Sequence, residues 1–466
     1  MFWRLALAAL AAAWALSAFW QAMKPMPPGT RIATAWYALR PADVSFLADT
    51  TAADAYGRPV VSQAIFDQML AIVRGAREFI VLDYFLFNGE PALEAEPAVP
   101  LRALSKELRD ALIEQRRLYP ALKILFVTDA INTGEGGVPS NDFAMLKAAG
   151  VDIVITDRRR LRDASYLCAY LWRLTMGRSQ GHGRLESANH RRTIIADDGR
   201  GGLVGAIGSA DPRDASSAFS NVALRLRGPL LSPLIQSELA IARFSGWRGE
   251  FAQAPMGAPT PRVADADPRG VRARITTEGA IRADLLEHID GASKADHIDI
   301  AMFHIADRAI IDALLAANAR GARVRLILEP ERNSEDTASI PNGPVASELI
   351  TASEDAIRVR WYRSHGEQFH TKLVMVYGAA RFWATLGSAD LTRRNLADYD
   401  LNANVAIEGP RAAAVAAQMS DYFETLWSNQ ASQGIEYTAD FAVYADASQA
   451  RYWLYRLMDW SGIASF

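Results

Sequence analysis

The first hydrophobic feature of the chain is a run from Leu5 to Met23, broken only by Ser17 and Gln21, with Arg4 before it and Lys24-Pro25 after it. Such a run is long enough to cross a hydrocarbon core as a helix. A secretory signal has a shorter apolar centre and a small-x-small cleavage site. Ala18 offers a cleavage point, but Leu16 is a poor residue ahead of it. Residues 1–23 are therefore expected to form an uncleaved signal anchor. Arg4 favours a cytoplasmic N-terminus, with the globular part on the periplasmic side of a cell inner membrane, although Lys24 and Arg31 pull the other way. Pro25-Met-Pro-Pro28-Gly29 reads as a stiff spacer that holds the globular part off the membrane.

Beyond that point the pattern occurs twice. Ile65, Met69, Ile72 and Val73 have helical spacing that stops at Gly75, and an apolar strand follows from Phe79 to Phe87. Leu285, Leu286 and Ile289 stop at Gly291, and the matching strand is Ile298 to Phe303. Asp83 and Asp299 each lie eight residues after their glycine, and Phe87 and Phe303 keep the same register. Each half continues with a polar helix, a strand (Ile124 to Thr128; Val324 to Leu328), a loop with Pro139 or Pro341, a helix, and another strand (Val151 to Ile155; Ile357 to Tyr362). This alternation predicts an α/β fold of two tandem sandwich halves, each on a largely parallel sheet. The expected boundaries are a first half at 24–253, a proline-crowded linker at 254–270, a second half at 271–440 and a docking segment at 441–466.

Composition narrows the class. With 466 residues, half of them apolar, the chain has room for two domains and a sizeable core. A net charge of −3 argues against a nucleic-acid partner, which would need a basic face. The single cysteine, Cys168, excludes an internal disulfide and reads as a small buried hydrophobe.

The candidate chemistry closes each half. His190-Arg-Arg192 precedes a hairpin that returns to Gly208-Ser-Ala-Asp211, and His370-Thr-Lys372 precedes one that returns to Gly387-Ser-Ala-Asp390. Residues two apart on a strand project from one face, so each histidine points with its cation. Each corner offers an imidazole, a cation, a hydroxyl and a carboxylate. One His-x-Lys is a weak signal, but two copies with the same Gly-Ser-Ala-Asp form a strong one. A neutral imidazole is a competent nucleophile at phosphorus, and a protonated one can donate to a departing alkoxide. Arg192, Lys372, Ser209 and Ser388 would hold the non-bridging oxygens.

These residues resemble the phospholipase D superfamily, whose motif is His-x-Lys-x4-Asp followed by Gly-Ser-x-Asn. The resemblance runs from Tyr84-Phe-Leu-Phe87 to Asn402-Ala-Asn404. Together with the anchor and the absence of strong positive charge, it looks most like bacterial cardiolipin synthases and related envelope proteins. It implies halves related by a pseudo-twofold with both motifs in one cleft, a phosphohistidine intermediate, no cofactor and no required metal, and a phospholipid substrate drawn from the membrane. By family analogy His190 is the nucleophile and His370 the acid; the sequence leaves the reverse open.

The chain departs from the motif at several positions. Arg192 replaces a lysine, Tyr377 stands opposite Asp197, and Asp211 and Asp390 replace asparagine. The aspartates are unfavourable beside a phosphate unless they are protonated or turned toward a cation. Asp400 is placed to orient His370, and Ser220 or Asn221 to orient His190. An insert between Asp157 and Asn189 places Arg158, Arg159, Arg160 and Arg162 before Tyr166, Leu167, Tyr170, Leu171 and Trp172. It reads equally as a headgroup-contacting cleft roof and as a packed helix with a solvated start. Tyr452, Trp453, Tyr455 and Trp460 are expected to dock a terminal helix, and His182, His288, His297, His304 and His365 to be structural. Three function classes follow: a phospholipid phosphodiesterase or phosphatidyltransferase, an endonuclease-type phosphodiesterase, and a non-catalytic phosphate-binding membrane protein.

Overall fold

The structure, a computed structural model, describes residues 2–89, 100–133, 141–163, 187–251, 270–330, 341–429 and 434–461. Tyr166 to Trp172 of the insert, Cys168, His182, Pro139 and the expected linker except Gly270 lie outside these residues.

In chain order the strands are β1 (Tyr37–Leu39), β2 (Val44–Ala53), β3 (Pro59–Ser62), β4 (Phe79–Tyr84), β5 (Lys123–Thr128), β6 (Asp152–Ile155), β7 (Arg192–Asp197), β8 (Leu203–Gly208) and β9 (Asn221–Arg227). The second half adds β10 (Val271–Thr277), β11 (His297–Met302), β12 (Arg323–Leu328), β13 (Arg358–Tyr362), β14 (Lys372–Tyr377), β15 (Arg381–Gly387), β16 (Ala403–Pro410) and β17 (Thr438–Asp440). One sheet is ordered β3-β2-β9-β8-β7-β4-β5-β6 and the other β1-β10-β16-β15-β14-β11-β12-β13-β17. Apart from the edge strands β3, β1 and β17, the two orders are the same.

The expected largely parallel sheets are instead mixed. Only β4-β5-β6 and β11-β12-β13 run parallel; the pairs from β2 to β4 through β9, β8 and β7, and their counterparts in the second half, are antiparallel. Helical crossovers give parallel neighbours, whereas the tight turn after each histidine strand returns the chain antiparallel. The repeat register also differs from the expected one. Asp83 pairs with Thr193, while Ala301 pairs with Leu373, so Phe85 rather than Phe87 is the counterpart of Phe303. A slip of two preserves the face of every side chain, which is why the hydrophobic pattern tolerates it.

The helices are α1 (Phe2–Met23), α2 (Ile65–Gly75), α3 (Leu104–Leu118), α4 (Asp142–Ala148), α5 (Leu231–Phe244), α6 (Gly279–Gly291), α7 (Arg308–Ala319), α8 (Asn342–Ala352), α9 (Arg393–Leu396), α10 (Ala414–Ser428) and α11 (Gln449–Ser461). Alternation along the strands sorts the cores. Ile80 and Leu82 face α2, α3 and α4, while Val81 faces inward; Ile298 and Ile300 face α6, α7 and α8, while Ala301 faces inward. The inward faces of both sheets, with α5 and α10, form one shared core. The halves are thus fused across a hydrophobic seam.

The spacer expected after α1 is docked instead of standing free. Gln21 accepts from the Asp163 amide at 3.1 Å, the Lys24 ammonium donates to the carbonyls of Arg159 (2.8 Å) and Leu161 (2.5 Å), and Arg162 donates to the Lys24 carbonyl. The buried Thr30 carbonyl accepts from Arg191, Ser237 and Thr277. After that, β1 joins the edge of the second sheet, against β10. A prolyl segment has few donors of its own, so its carbonyls are open to donors from the body. The globular part therefore abuts the end of the apolar helix.

Candidate active site

Each motif histidine lies just before a central strand, at a point where the halves touch. Asn189 bridges Leu401 and the His190 amide donates to the Leu401 carbonyl at 2.8 Å; reciprocally, Phe369 bridges Ser220, whose amide donates to the Gln368 carbonyl at 3.1 Å. These contacts bring segment 401–402 to His190 and segment 220–221 to His370.

The expected orienting partners are therefore exchanged between halves. The His370 Nδ1 meets Asn221 Oδ1 at 3.1 Å, and Asn402 is the corresponding partner of His190. Asp400 does not serve His370; it accepts from the Ala188 amide at 2.9 Å and lies 3.4 Å from Arg394. Ser220 hydrogen-bonds to the Tyr362 hydroxyl at 2.8 Å. The serines also differ from expectation. Ser209 donates to Asn221 Oδ1 at 3.0 Å and accepts from the Val222 amide; Ser388 donates to Asn402 Oδ1 at 3.2 Å and accepts from the Ala403 amide. Both are fully buried, and each braces the asparagine that meets a histidine of the other half. Because Asn221 Oδ1 can only accept, His370 Nδ1 must carry the hydrogen, leaving a lone pair on Nε2.

The cations converge with the histidines. Arg192 donates from Nη2 to His190 Nε2 at 3.0 Å, from Nε to Asp211 at 2.7 Å and, across the seam, from Nη1 to the Ser388 carbonyl at 3.4 Å. The Lys372 ammonium, buried, stands 3.2 Å from Asp390 without a well-directed hydrogen bond. Both aspartates that replace asparagine are thus turned toward a cation. Phe85 meets the His190 ring edge-on at 4.8 Å and Phe303 meets His370 at 4.9 Å. Arg213 and Arg394 stand near enough to depress His370 and His190, respectively. Of these residues the sequence reading had neither arginine in the site, nor Asn402 as a histidine partner; all three follow the Gly-Ser-Ala-Asp turns that flagged the site.

The electrostatics favour neutral imidazoles. Burial, then Arg192 and Lys372, push His190 well below the usual imidazole range; burial, then Lys372, Arg192 and His190, do the same to His370. Burial lowers Lys372 to about 8 despite Asp390.

Other expected roles are also placed. Asp197 accepts from the amides of Arg77, Glu78, Phe79 and Gly199 and so braces a turn, while Tyr377 donates to Asp299 at 2.6 Å. His288 stacks on Trp383 and His297 on Tyr377, away from the motif pair. His288 also approaches Asp284 and Glu287, but Arg274 already pairs with both carboxylates. Arg191, between the two motif residues, is buried against Glu238 and Glu278 and ties the halves together.

Residues 285–427 match the family described as the cardiolipin synthase PLD-like domain. Cardiolipin synthase A of Pseudomonas putida strain GB-1 is 24% identical over 392 residues, covering 81% of this chain and 68% of the relative. The same protein of strain W619 is 23% identical over the same length and coverage. Among solved structures, phosphatidylserine synthase of Haemophilus influenzae Rd KW20 matches with a TM-score of 0.57 at 12% identity, covering 91% of this chain and 93% of that one. The fold is shared with that enzyme, and the chain resembles the phospholipase D superfamily.

Proposed function

We propose that this protein is a phospholipid phosphatidyltransferase or phosphodiesterase working through a phosphohistidine. The reading rests on two histidines that each meet an asparagine of the opposite half, His370 through its Nδ1, with Arg192 and Lys372 beside both. The similarity to cardiolipin synthases supports a phospholipid as the substrate.

The hydrogen bonding favours His370 as the nucleophile, the reverse of the family-based assignment. Its Nδ1 hydrogen is committed to Asn221, so its Nε2 lone pair is presented, whereas the His190 Nε2 lone pair is covered by Arg192. An anionic diester draws Arg192 and Lys372 onto its non-bridging oxygens, which uncovers His190 and favours its protonation. The His370 Nε2 pair then attacks phosphorus, the ester P–O bond breaks, and the alkoxide takes the proton from His190. Water or a lipid hydroxyl next returns its proton to His190, attacks phosphorus and releases His370.

The test uses the full chain in vesicles containing phosphatidylglycerol with a radiolabelled phosphate. Label should transfer to lipid or soluble product, and quenching in base should trap a labelled protein that is acid-labile. His370→Ala should abolish both product and adduct; His190→Ala should suppress turnover and slow adduct formation without abolishing it. An adduct retained by His370→Ala but absent from His190→Ala would restore the opposite assignment. An inert wild-type protein that still binds the vesicles would support a scaffold.

A further inference from the structure

Helix α11 has two unlike faces. Tyr455 is fully buried against the second-half core and its hydroxyl accepts from Arg308 at 3.2 Å. Arg456 turns to the Tyr452 hydroxyl at 2.8 Å, and the Asp459 carbonyl accepts from Arg393 at 2.7 Å. The opposite face carries Trp453, Leu454, Leu457 and Trp460, with Trp453 and Trp460 64% and 67% exposed and no charged residue among them. Of the four aromatic residues expected to dock this helix, the two tryptophans are thus left outward. Helical spacing aligns them as one stripe.

The occupant of this stripe is indicated by its neighbour. Trp460 packs on Trp14 of α1 with ring centroids 5.2 Å apart. Helix α1 is apolar and long enough to cross a bilayer, and it offers Leu5, Leu10, Leu16, Phe19 and Trp20 to its surroundings. On α1, Trp14 lies about 14 Å along the axis from Met23 at about 1.5 Å per residue, further than the roughly 5–7 Å depth of one headgroup layer. When α1 enters a bilayer, the residues beside Trp14 must go with it at least to the acyl boundary. The residue in contact is Trp460, and the rest of its stripe follows along the same face of α11.

We propose that α11 is a second membrane-contact helix, lying in the headgroup–acyl boundary beside α1 with Trp453, Leu457 and Trp460 in lipid. Tryptophan favours that boundary, and an apolar helix face without charge suits it. The contact also orients the site. Arg393, which holds the end of α11, also donates to Tyr399, and the adjoining residues Arg394 and Asp400 flank His190. The rim of the histidine site is thereby brought to the lipid surface.

The inference requires no catalysis, so its failure is separable from that of the proposed reaction. In a Cys168→Ala background of the full chain, single cysteines at Leu457, Leu10 and Glu114 would carry an environment-sensitive fluorophore, in vesicles of phosphatidylethanolamine and phosphatidylglycerol. The Leu457 label should be quenched by shallow nitroxide-bearing lipids and the Leu10 label by deep ones, and the Leu457 label should be several-fold less open to aqueous iodide than the Glu114 label on α3. Iodide quenching equal to that at Glu114 overturns the proposal, whatever the Leu10 label reports. Protection from both quenchers would mean that a protein surface covers the stripe, and overturns it too.

Discussion

Replacing Asn221 by leucine would test the bracing of His370 through the loss of one oxygen atom. Asn221 Oδ1 accepts from His370 Nδ1 at 3.1 Å and from the Ser209 hydroxyl at 3.0 Å. Leucine preserves the bulk but removes the acceptor. Ser209 keeps a weaker alternative in the Val222 carbonyl at 3.4 Å, so the unmet donor is the His370 ring. A buried donor without a partner costs about 1–3 kcal/mol. The ring avoids that cost by moving its hydrogen to Nε2, which removes the nucleophilic pair. At about 1.4 kcal/mol per tenfold, kcat should fall by roughly one to two orders of magnitude. Because the lesion concerns the reactive tautomer, kcat should fall more than KM rises. Asn221→Asp should restore much of the rate, since a carboxylate also accepts from Nδ1; it should also move the acid limb of the pH profile upward, by favouring the imidazolium. Pre-steady-state adduct formation on labelled phosphatidylglycerol separates this chemistry from lipid binding. An Asn221→Leu protein that forms the adduct within twofold of the wild-type rate would refute the assigned role.

Lys372, lowered to about 8 by burial, should lose its proton as pH rises through that value, so kcat/KM should decline on an alkaline limb there. Lys372→Arg, which keeps its charge, should remove the limb; a limb that persists would assign it to another group. Burial also raises Glu278 to about 7, against Arg191. A carboxyl raised above its unfolded value contributes stability that is complete below about pH 4.5 and is lost as pH rises through about 7. The melting temperature should therefore drop between about pH 5 and about pH 8, and Glu278→Gln should flatten that part of the curve; an unchanged slope would place the pH dependence elsewhere.

The duplicated pattern made the two histidine hairpins legible because apolar runs, turn residues and motif positions coincided there. Strands β7, β8, β14 and β15 accordingly fall where the sequence put them. Register was harder to read, since a slip of two residues leaves the buried face unchanged; only the pairing of Asp83 with Thr193 and of Ala301 with Leu373 reveals Phe85 as the partner of Phe303. Strands β2, β9, β10 and β16, which extend the antiparallel part of each sheet, were not placed by the sequence pattern. The least legible feature was the exchange of asparagines. Local spacing suggested Asp400 for His370, but spacing cannot report contacts across a seam. Asn221 reaches His370 over 149 residues of chain. Likewise nothing local in Pro25 to Thr30 disclosed that Arg191 would hold the Thr30 carbonyl from within the body.

The departures from the superfamily motif become coherent once charge is followed through the site. Asparagine would leave Arg192 and Lys372 as two buried cations facing two imidazoles. Here Asp211 and Asp390 match them one to one, so these four groups are neutral before substrate arrives. Burial, and after it the nearby cations, still keep both imidazoles uncharged. In the proposed reaction a bound diester introduces one unmatched negative charge, and the proton needed by the leaving alkoxide restores the balance on His190. The replacement of asparagine by aspartate thus moves the source of attraction. In that reaction phosphate would be held by cations that must first loosen from their own carboxylates, which would weaken resting affinity for free phosphate. In the proposed reaction the groups that supply the difference are those that hold the rest of the lipid, and the docking of the end of α1 on the body would bring the site toward a bilayer that α1 enters.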